Sequence, residues 1–362
     1  MNLSDIKHLS IVGELTVNLA SLNNEGTEGS ATQPRTAVVV RDKKLYTVPA
    51  ISGDMVKHWH AQHLATIAQE RNLPLCGYAQ GKYMNPNRLK GELASRDWLI
   101  QRFPEATAWT GELKGQSAAV QKQQLEATLY RLLASECLVT DAHGLLLTEV
   151  DNRDRGNGFS ASVAVPRTGR VQFGIMAGIP EVSHIQHYFH AKFVKHRSGI
   201  QSRENTANEG QNIFTRPASS AVFAFVCVID LAGLGWDDAA NAYAISDAVM
   251  RNKRKQAVID ALSYTLMHQP GANTSQQFPH VMDFQGAIVT STSRCPAPTV
   301  SPLTRNFKTI LTGLVENINR MNGNQALTYQ EATGIGDVVE KLTTIAHGPK
   351  TENKDSEVEA KS

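Results

Sequence analysis

Residues 11 to 22 alternate. Leu15, Val17 and Leu19 fall on one side and Glu14, Thr16 and Asn18 on the other, the two-residue period of a half-buried strand. Behind it, Ser21 to Pro34 is rich in Asn, Gly, Ser and Thr with no large apolar anchor beyond Leu22, so a long loop is expected there. Val38 to Arg41 and Leu45 to Pro49 flank Asp42, Lys43 and Lys44 as a hairpin. Next, Met55, Val56, Trp59, Leu64, Ile67 and Ala68 recur at helical spacing, and Ser52 stands where it can cap a helix running to about Glu70.

Between Asn72 and Glu136 the pattern is interrupted by Pro74, Pro86 and Pro104. Only about 116 to 135, with Val120, Leu125, Leu129, Leu132 and Leu133, keeps a helical period, so the block reads as an insertion on one edge of the core. Strands return at Leu145 to Val150, Val171 to Ile175, Tyr188 to Lys195 and Ser220 to Leu231. A helix is expected over Ala240 to Met267, a strand over Phe284 to Ser291 and a helix over Leu303 to Met321. The main pieces run strand, helix, two strands, helix, strand. That is an α+β chain with the β-α-β-β-α-β order of ferredoxin-like and RNA-recognition folds, enlarged by insertions.

Of 362 residues, 41% are apolar and 19% charged, enough to bury a large core. With 36 Lys plus Arg against 34 Asp plus Glu, the net charge of +2 excludes a wholly basic coat. Any nucleic-acid surface must then come from local segregation, and the middle of the chain supplies it. Arg153 to Arg216 holds nine Lys or Arg against four acidic residues, an excess of five, together with His184, His187, His190 and His196. A basic stretch taken alone is more often a solvated face. Within it, Ile200 to Gln211 is polar between strand-like flanks and reads as the tip of a long exposed hairpin, with a surface insertion as the competing reading.

The turn before the first helix is a second candidate. Backbone N–H groups after Ser52 and Gly53, with Lys57 and His58 one turn in, make an anion site out of the helix dipole. No metal is expected, because neither His58, His60 and His63 nor His184, His187 and His190 has H-E-x-x-H spacing. No G-x-S-x-G, P-loop or G-x-G-x-x-G fingerprint points to an enzyme or cofactor, so no catalytic residue is assigned. Asp141, Asp230 and Asp283 are acids or bases only as any Asp is, and Asp230 reads as a turn residue. Cys76, Cys137, Cys227 and Cys295 lie far apart with no C-x-x-C pair, which suits a reducing compartment. With Asp5, Lys7 and Glu14 near the start and no apolar run of roughly 20 residues, a cytoplasmic protein with no membrane partner is expected. His347 to Ser362 is almost without apolar residues and is expected to be a disordered tail behind a single domain at 1–346.

Six segments together resemble the DevR/Csa-type CRISPR-associated autoregulator family, the crRNA-binding backbone subunit of type I Cascade. They are Val17 to Gly26 (VNLASLNNEG), Val48 to His58 (VPAISGDMVKH), Cys137 to Gly144 (CLVTDAHG), Arg167 to Phe173 (RTGRVQF), Ser219 to Phe225 (SSAVFAF) with Asp230 and Leu231, and Gly271 to His280 (GANTSQQFPH). The resemblance implies an RNA-recognition-like palm, helical fingers at 72–136 and a thumb hairpin at 181–217. Other copies of the chain would stack along one crRNA beside other Cascade subunits, presenting guide bases to target DNA. Carried onto this sequence, RNA contacts fall on Asn18, Asn23 and Arg35, on Ser52, Gly53, Lys57 and His58, and on Arg167 and Arg170. Asn273, Ser275 and Gln276 join them, and the basic stretch adds Lys192, Lys195, Arg197 and Arg216. No aromatic ribonucleoprotein motif is present, so recognition of the RNA backbone rather than base stacking is expected. Related subunits cleave RNA with an Asp in the first loop; this loop holds Glu25 and Glu28 instead, which leaves a metal-dependent cleaving role as the alternative. A third reading is an assembly protein that binds no nucleic acid.

Overall fold

Thirteen residues, His8–Ala20, buried without a break over Leu9 to Gly13 and alternately from Glu14 to Asn18, form β1, on which the main sheet is built. A computed structural model describes residues 2–22, 24–28, 31–76, 79, 118–152, 159–193, 211–270 and 274–350. After β1 come β2 (Asn24–Glu28), β3 (Ala31–Pro34), β4 (Thr36–Arg41), β5 (Lys44–Ile51) and the 18-residue α1 (Gly53–Glu70). Next follow α2 (Ala118–Ser135), α3 (Leu138–His143), β6 (Leu145–Asn152), β7 (Phe159–Arg167), β8 (Val171–Phe173), β9 (Met176–Phe193) and β10 (Gln211–Asp230). The chain closes with β11 (Trp236–Asp237), β12 (Ala242–Tyr243), α4 (Ala248–Met267), β13 (His280–Ser291), α5 (Phe307–Asn322), β14 (Leu327–Thr333) and α6 (Ile335–His347).

The ten-stranded sheet runs β14-β13-β1-β10-β9-β5-β4, with β3 and β8 attached to β10. Its central pairs, β13 with β1, β1 with β10 and β10 with β9, are all antiparallel. The two-residue period of β1 divides the core. Leu9, Ile11 and Leu15 face α1, α4 and α6, whose Trp59, Leu64, Val258, Leu262 and Val338 are buried against them with Phe223, Phe225 and Phe284. Val12 faces the other way, where Phe307, Leu311 and Val315 of α5 pack on Ala287 and Val289. Each such large apolar side chain contributes roughly 1.5–3 kcal/mol.

Gly13 and Gly286 sit opposite each other on neighbouring strands. A Cβ at Gly13 would stand 2.3 Å from the Phe284 ring. The absent side chains leave room for that ring, which meets Phe225 edge-on at 6.5 Å. Gly13→Ala is therefore expected to lower stability by about 1–3 kcal/mol through overpacking, read as a reduced urea midpoint. An unchanged midpoint would show that Phe284 moves aside freely.

Several expectations change here. The segment from Ser21 to Pro34, read as a loop, contains the hairpin β2–β3, which joins β10 in parallel at Ala31 and Thr215. Strand pairing uses backbone groups, so the lack of apolar anchors did not prevent it. The helix read from Ala240 begins at Ala248, behind Asp247, whose carboxylate accepts the Val249 N–H at 2.8 Å. Before it, Trp236–Asp237 and Ala242–Tyr243 form a small ribbon, and Asn241 has φ +52°, which ends any helical run. The strands read from Tyr188 and from Ser220 overlap the longer β9 and β10, which end at Phe193 and Asp230 in the described residues. α3, β7, β14 and α6 were not expected.

β9 and β10 pair from Ala224 and Ala177 out to Gln211 and Phe193, with a register break between Ala221 and Phe223. Beside the break, Glu181 Oε1 lies 3.2 Å from Arg41 Nε and 2.7 Å from Arg305 Nη2, which also reaches Asp42 Oδ2 at 2.8 Å. The Arg305 hydrogen bond holds the Asp42 carboxyl below its usual range. Asp42 and Lys43, with φ of 50° and 63°, make the tight turn between β4 and β5 that brings this pair to Glu181. Residues 194–210, 80–117 and 351–362, where the hairpin tip, most of the fingers and the tail were expected, lie outside the described residues. Among the described residues, no helix is long and apolar enough to cross a membrane.

Candidate nucleic-acid interface

The start of α1 is fixed from both sides. Ser52 Oγ accepts the Met55 N–H at 3.2 Å and the Ser52 carbonyl accepts the Val56 N–H at 3.2 Å, the arrangement of an N-cap. At Gly53 a Cβ would stand 2.6 Å from the Phe173 carbonyl oxygen, so only glycine lets β8 come this close to the helix end. The N–H of Ala50 donates to the Arg35 carbonyl at 2.9 Å, which draws the entry to β4 alongside the end of β5. These constraints gather Arg35, Ser52, Gly53, Lys57, Thr168 and Gln172 around an open cleft of about 480 Å³. The positive end of the helix dipole and two basic side chains meet there, against the opposing carboxylate of Asp54.

Other expected contacts are distributed differently. Arg167 is buried with its side chain against the Asp141 carboxylate, and its Nη1 donates to the Trp236 carbonyl at 2.9 Å. That placement corrects the expectation of an RNA contact, because the guanidinium is committed inside the fold. Arg170 binds both oxygens of Asp238, at 2.6 and 2.7 Å, and lies 3.5 Å from Asp230, so its charge is matched by acids of its own fold. Neither the local charge count nor the resemblance that pointed to both arginines could see acids brought in from distant positions.

A second group forms near the root of the β9–β10 hairpin. The Arg216 guanidinium donates to Gln276, and Ser275 and Gln276 are exposed on the turn leading into β13. Asn18 on β1 pairs there with His280. Lys192 pairs with Asn212 in the backbone of the hairpin. Asn23, Lys195, Arg197 and Asn273 lie outside the described residues.

The histidines take separate places. His58 is half-buried, and burial lowers its pKa. His60 is fully buried, with Nε2 donating to the Val258 carbonyl at 3.0 Å and Nδ1 2.9 Å from Nε2 of His143. Burial pushes the His60 pKa down to about 3 and that of His143 well below the usual value, so both are neutral at pH 7. With Nδ1 of His60 as acceptor, Nε2 of His143 is the donor. His63 Nε2 lies 2.9 Å from the His268 carbonyl. Among the described residues, no three His, Cys, Asp or Glu side chains converge on a metal-sized space.

Sequence reasoning missed the charge cluster behind the cleft. The Asp141 carboxylate, fully buried, takes Arg167 on one oxygen and Arg254 Nη1 on the other at 2.8 Å, and accepts the Gly235 N–H at 2.9 and 3.0 Å. Arg254 also donates to the carbonyls of Ala134, at 2.8 Å, and Ser135, at the end of α2. The cluster thus anchors the segment from Arg167 to Phe173 that forms one wall of the cleft.

A family model described as CRISPR-associated negative auto-regulator DevR/Csa2 matches residues 11–309. The CRISPR-associated protein Cas7/Csa2 1 of Saccharolobus solfataricus is 24% identical over 289 residues, covering 77% of each chain. The CRISPR-associated protein Cas7/Cst2/DevR of Methanocaldococcus jannaschii is 22% identical over 321 residues, 86% of this chain and 90% of its own. Among solved structures, a chain of a CRISPR RNA-guided surveillance complex aligns over 90% of this chain and 88% of its own, with 11% identity and a TM-score of 0.43.

Proposed function

The chain belongs to the CRISPR-associated DevR/Csa2 family, and from that premise we propose that it is a non-catalytic, crRNA-binding backbone subunit of a type I Cascade complex. The observation that carries this reading is the convergence of Arg35, Ser52, Gly53 and Lys57 with Thr168 and Gln172 on one cleft at the N-terminal end of an 18-residue helix. Backbone N–H groups, a helix dipole and cations suit the phosphates of a single strand, and none of them reads a base. Sequence specificity then belongs to pairing between guide and target DNA, while the protein holds the ribose-phosphate chain.

The antiparallel order β13-β1-β10-β9, with α1 and α4 on one face, supports an RNA-recognition-like palm. The β9–β10 hairpin is the thumb of this reading, laid over a neighbouring copy of the chain. Arg216, Gln276, Ser275 and Asn18 near its root are a second contact with the RNA, and Arg170 acts as a support for the cleft wall.

Arg35→Ala together with Lys57→Ala tests this. Each lost phosphate contact on a single strand lowers the slope of log affinity against log salt by roughly 0.7, so the double variant is expected to lose about 1.4. Affinity for single-stranded RNA should fall while the unfolding midpoint stays put, and RNA incubated with either protein and a divalent metal should remain uncut. An unchanged slope removes the cleft from the interface.

A further inference from the structure

We propose that Cys76 and Cys137 are a modification site: an oxidisable dithiol whose disulfide staples the two ends of the segment inserted between them. Both side chains are buried, at 0% and 1% exposure, and the Cys76 thiol donates to the Cys137 sulfur at 3.1 Å. Neither is already in a disulfide. They stand 61 positions apart in the chain, yet the Leu138 N–H donates to the Pro74 carbonyl at 2.8 Å, so the backbones that carry them already run side by side. A disulfide requires two sulfurs carried on neighbouring backbones, and here the sulfurs already touch without a distant strand being brought in.

Cys137 differs chemically from the buried thiol of Cys227. Burial raises the Cys137 pKa, but hydrogen bonds from Cys76 and from the N–H groups of Thr140 and Val139 outweigh it and bring the thiol down to about 7. Cys227 is equally buried without such donors, and burial alone pushes its thiol up. Cys137 is therefore the nucleophile of the pair. A small peroxide is the fitting oxidant, since a bulky disulfide cannot reach a site this enclosed. The Cys137 thiolate attacks one oxygen of hydrogen peroxide; the S–O bond forms, the O–O bond breaks and water leaves with the thiol proton. Cys76 then gives up its proton as its sulfur attacks the sulfenic acid; the S–S bond forms, the S–O bond breaks and a second water leaves. Two electrons pass from the thiols to the peroxide. The product closes a covalent ring over residues 76 to 137 and removes freedom from the unfolded chain.

The full chain at neutral pH, treated with hydrogen peroxide, alkylated under denaturing conditions and digested without reductant, gives the test. A peptide linking Cys76 to Cys137, two of the four thiols lost, their return with dithiothreitol and a raised unfolding midpoint are expected. In Cys76→Ser, a sulfenic acid at Cys137 trapped by dimedone should replace the link. Both cysteines remaining alkylatable while Cys295 oxidises, or links running to Cys227, Cys295 or a second molecule, would overturn the proposal. The peptide map of the unaltered chain decides even where the variant does not fold.

Discussion

Replacing Asp141 with alanine is expected to lower the unfolding free energy by about 3–5 kcal/mol, the cost of breaking a buried ion pair from one side. The carboxylate has no solvent exposure and stands between Arg167 and Arg254, whose side chains are equally buried. Removing it leaves two guanidinium groups facing each other in a medium that screens them poorly, and orphans the Gly235 N–H as well. Asp141→Asn keeps an acceptor but loses the charge, so its loss should be intermediate. Combining Asp141→Leu with Arg167→Met and Arg254→Leu should recover part of the loss, because apolar side chains of similar volume need no counter-charge. Urea unfolding followed at constant slope checks the series; a change below about 1 kcal/mol for Asp141→Ala would mean the cluster is not what anchors the cleft wall. The same experiment separates support from contact. Arg167→Ala should lose stability, whereas Lys57→Ala should lose RNA affinity and keep its stability.

Acid should act through a different buried pair. In the unfolded chain His60 and His143 take up protons around the ordinary histidine value of about 6.5. In the folded protein burial prevents this, with the His60 pKa at about 3 and that of His143 well below its usual value. Folded-state values below unfolded ones mean that the unfolded chain binds more protons as pH falls. The contribution is thus complete above pH 6.5 and drains away beneath it, at about 1.4 kcal/mol per pH unit for each histidine that stays neutral in the fold. From pH 7 to 5 the urea midpoint should fall accordingly. His60→Gln, which can still donate to the Val258 carbonyl, should remove about half of the dependence. A pH profile that does not change in this variant would assign the acid sensitivity to other groups.

Local rules made part of the molecule legible. β1 was readable from its second half, where burial alternates from Glu14 to Asn18, whereas Leu9 to Gly13 are buried on both faces and Leu19, at φ +55°, turns out to solvent. The Ser52 cap and α1 were readable because cap chemistry and helical period agree over eighteen residues. β14 was not, since its residues are half-exposed at an edge with no clear alternation. α6 begins after Gly334, at φ +92°, without a side-chain cap to announce it. Around the cleft, Ser52, Gly53 and Lys57 were singled out by helix dipole and charge and Arg35 by the family resemblance, and the structure brings them together with Thr168 and Gln172. Arg167 was misread because its partner Asp141 lies 26 positions away and Arg254 joins from 113. Charge pairing in a fold is a long-range property, and counting along the chain is blind to it.

Beyond the last contact of β10 with β1, at Ser219, β10 and β9 continue together for eight facing positions, from Ala218 with Gln186 to Gln211 with Phe193. Successive residues of such a ribbon present opposite flanks, so Tyr188 and Phe189 look in contrary directions. Trimming one position from each strand would rotate the whole distal portion half a turn and exchange its flanks, while trimming two restores them. An arm that must keep one flank towards its target can therefore change reach only in paired increments of about 7 Å, a parity constraint on any lengthening or shortening of this ribbon.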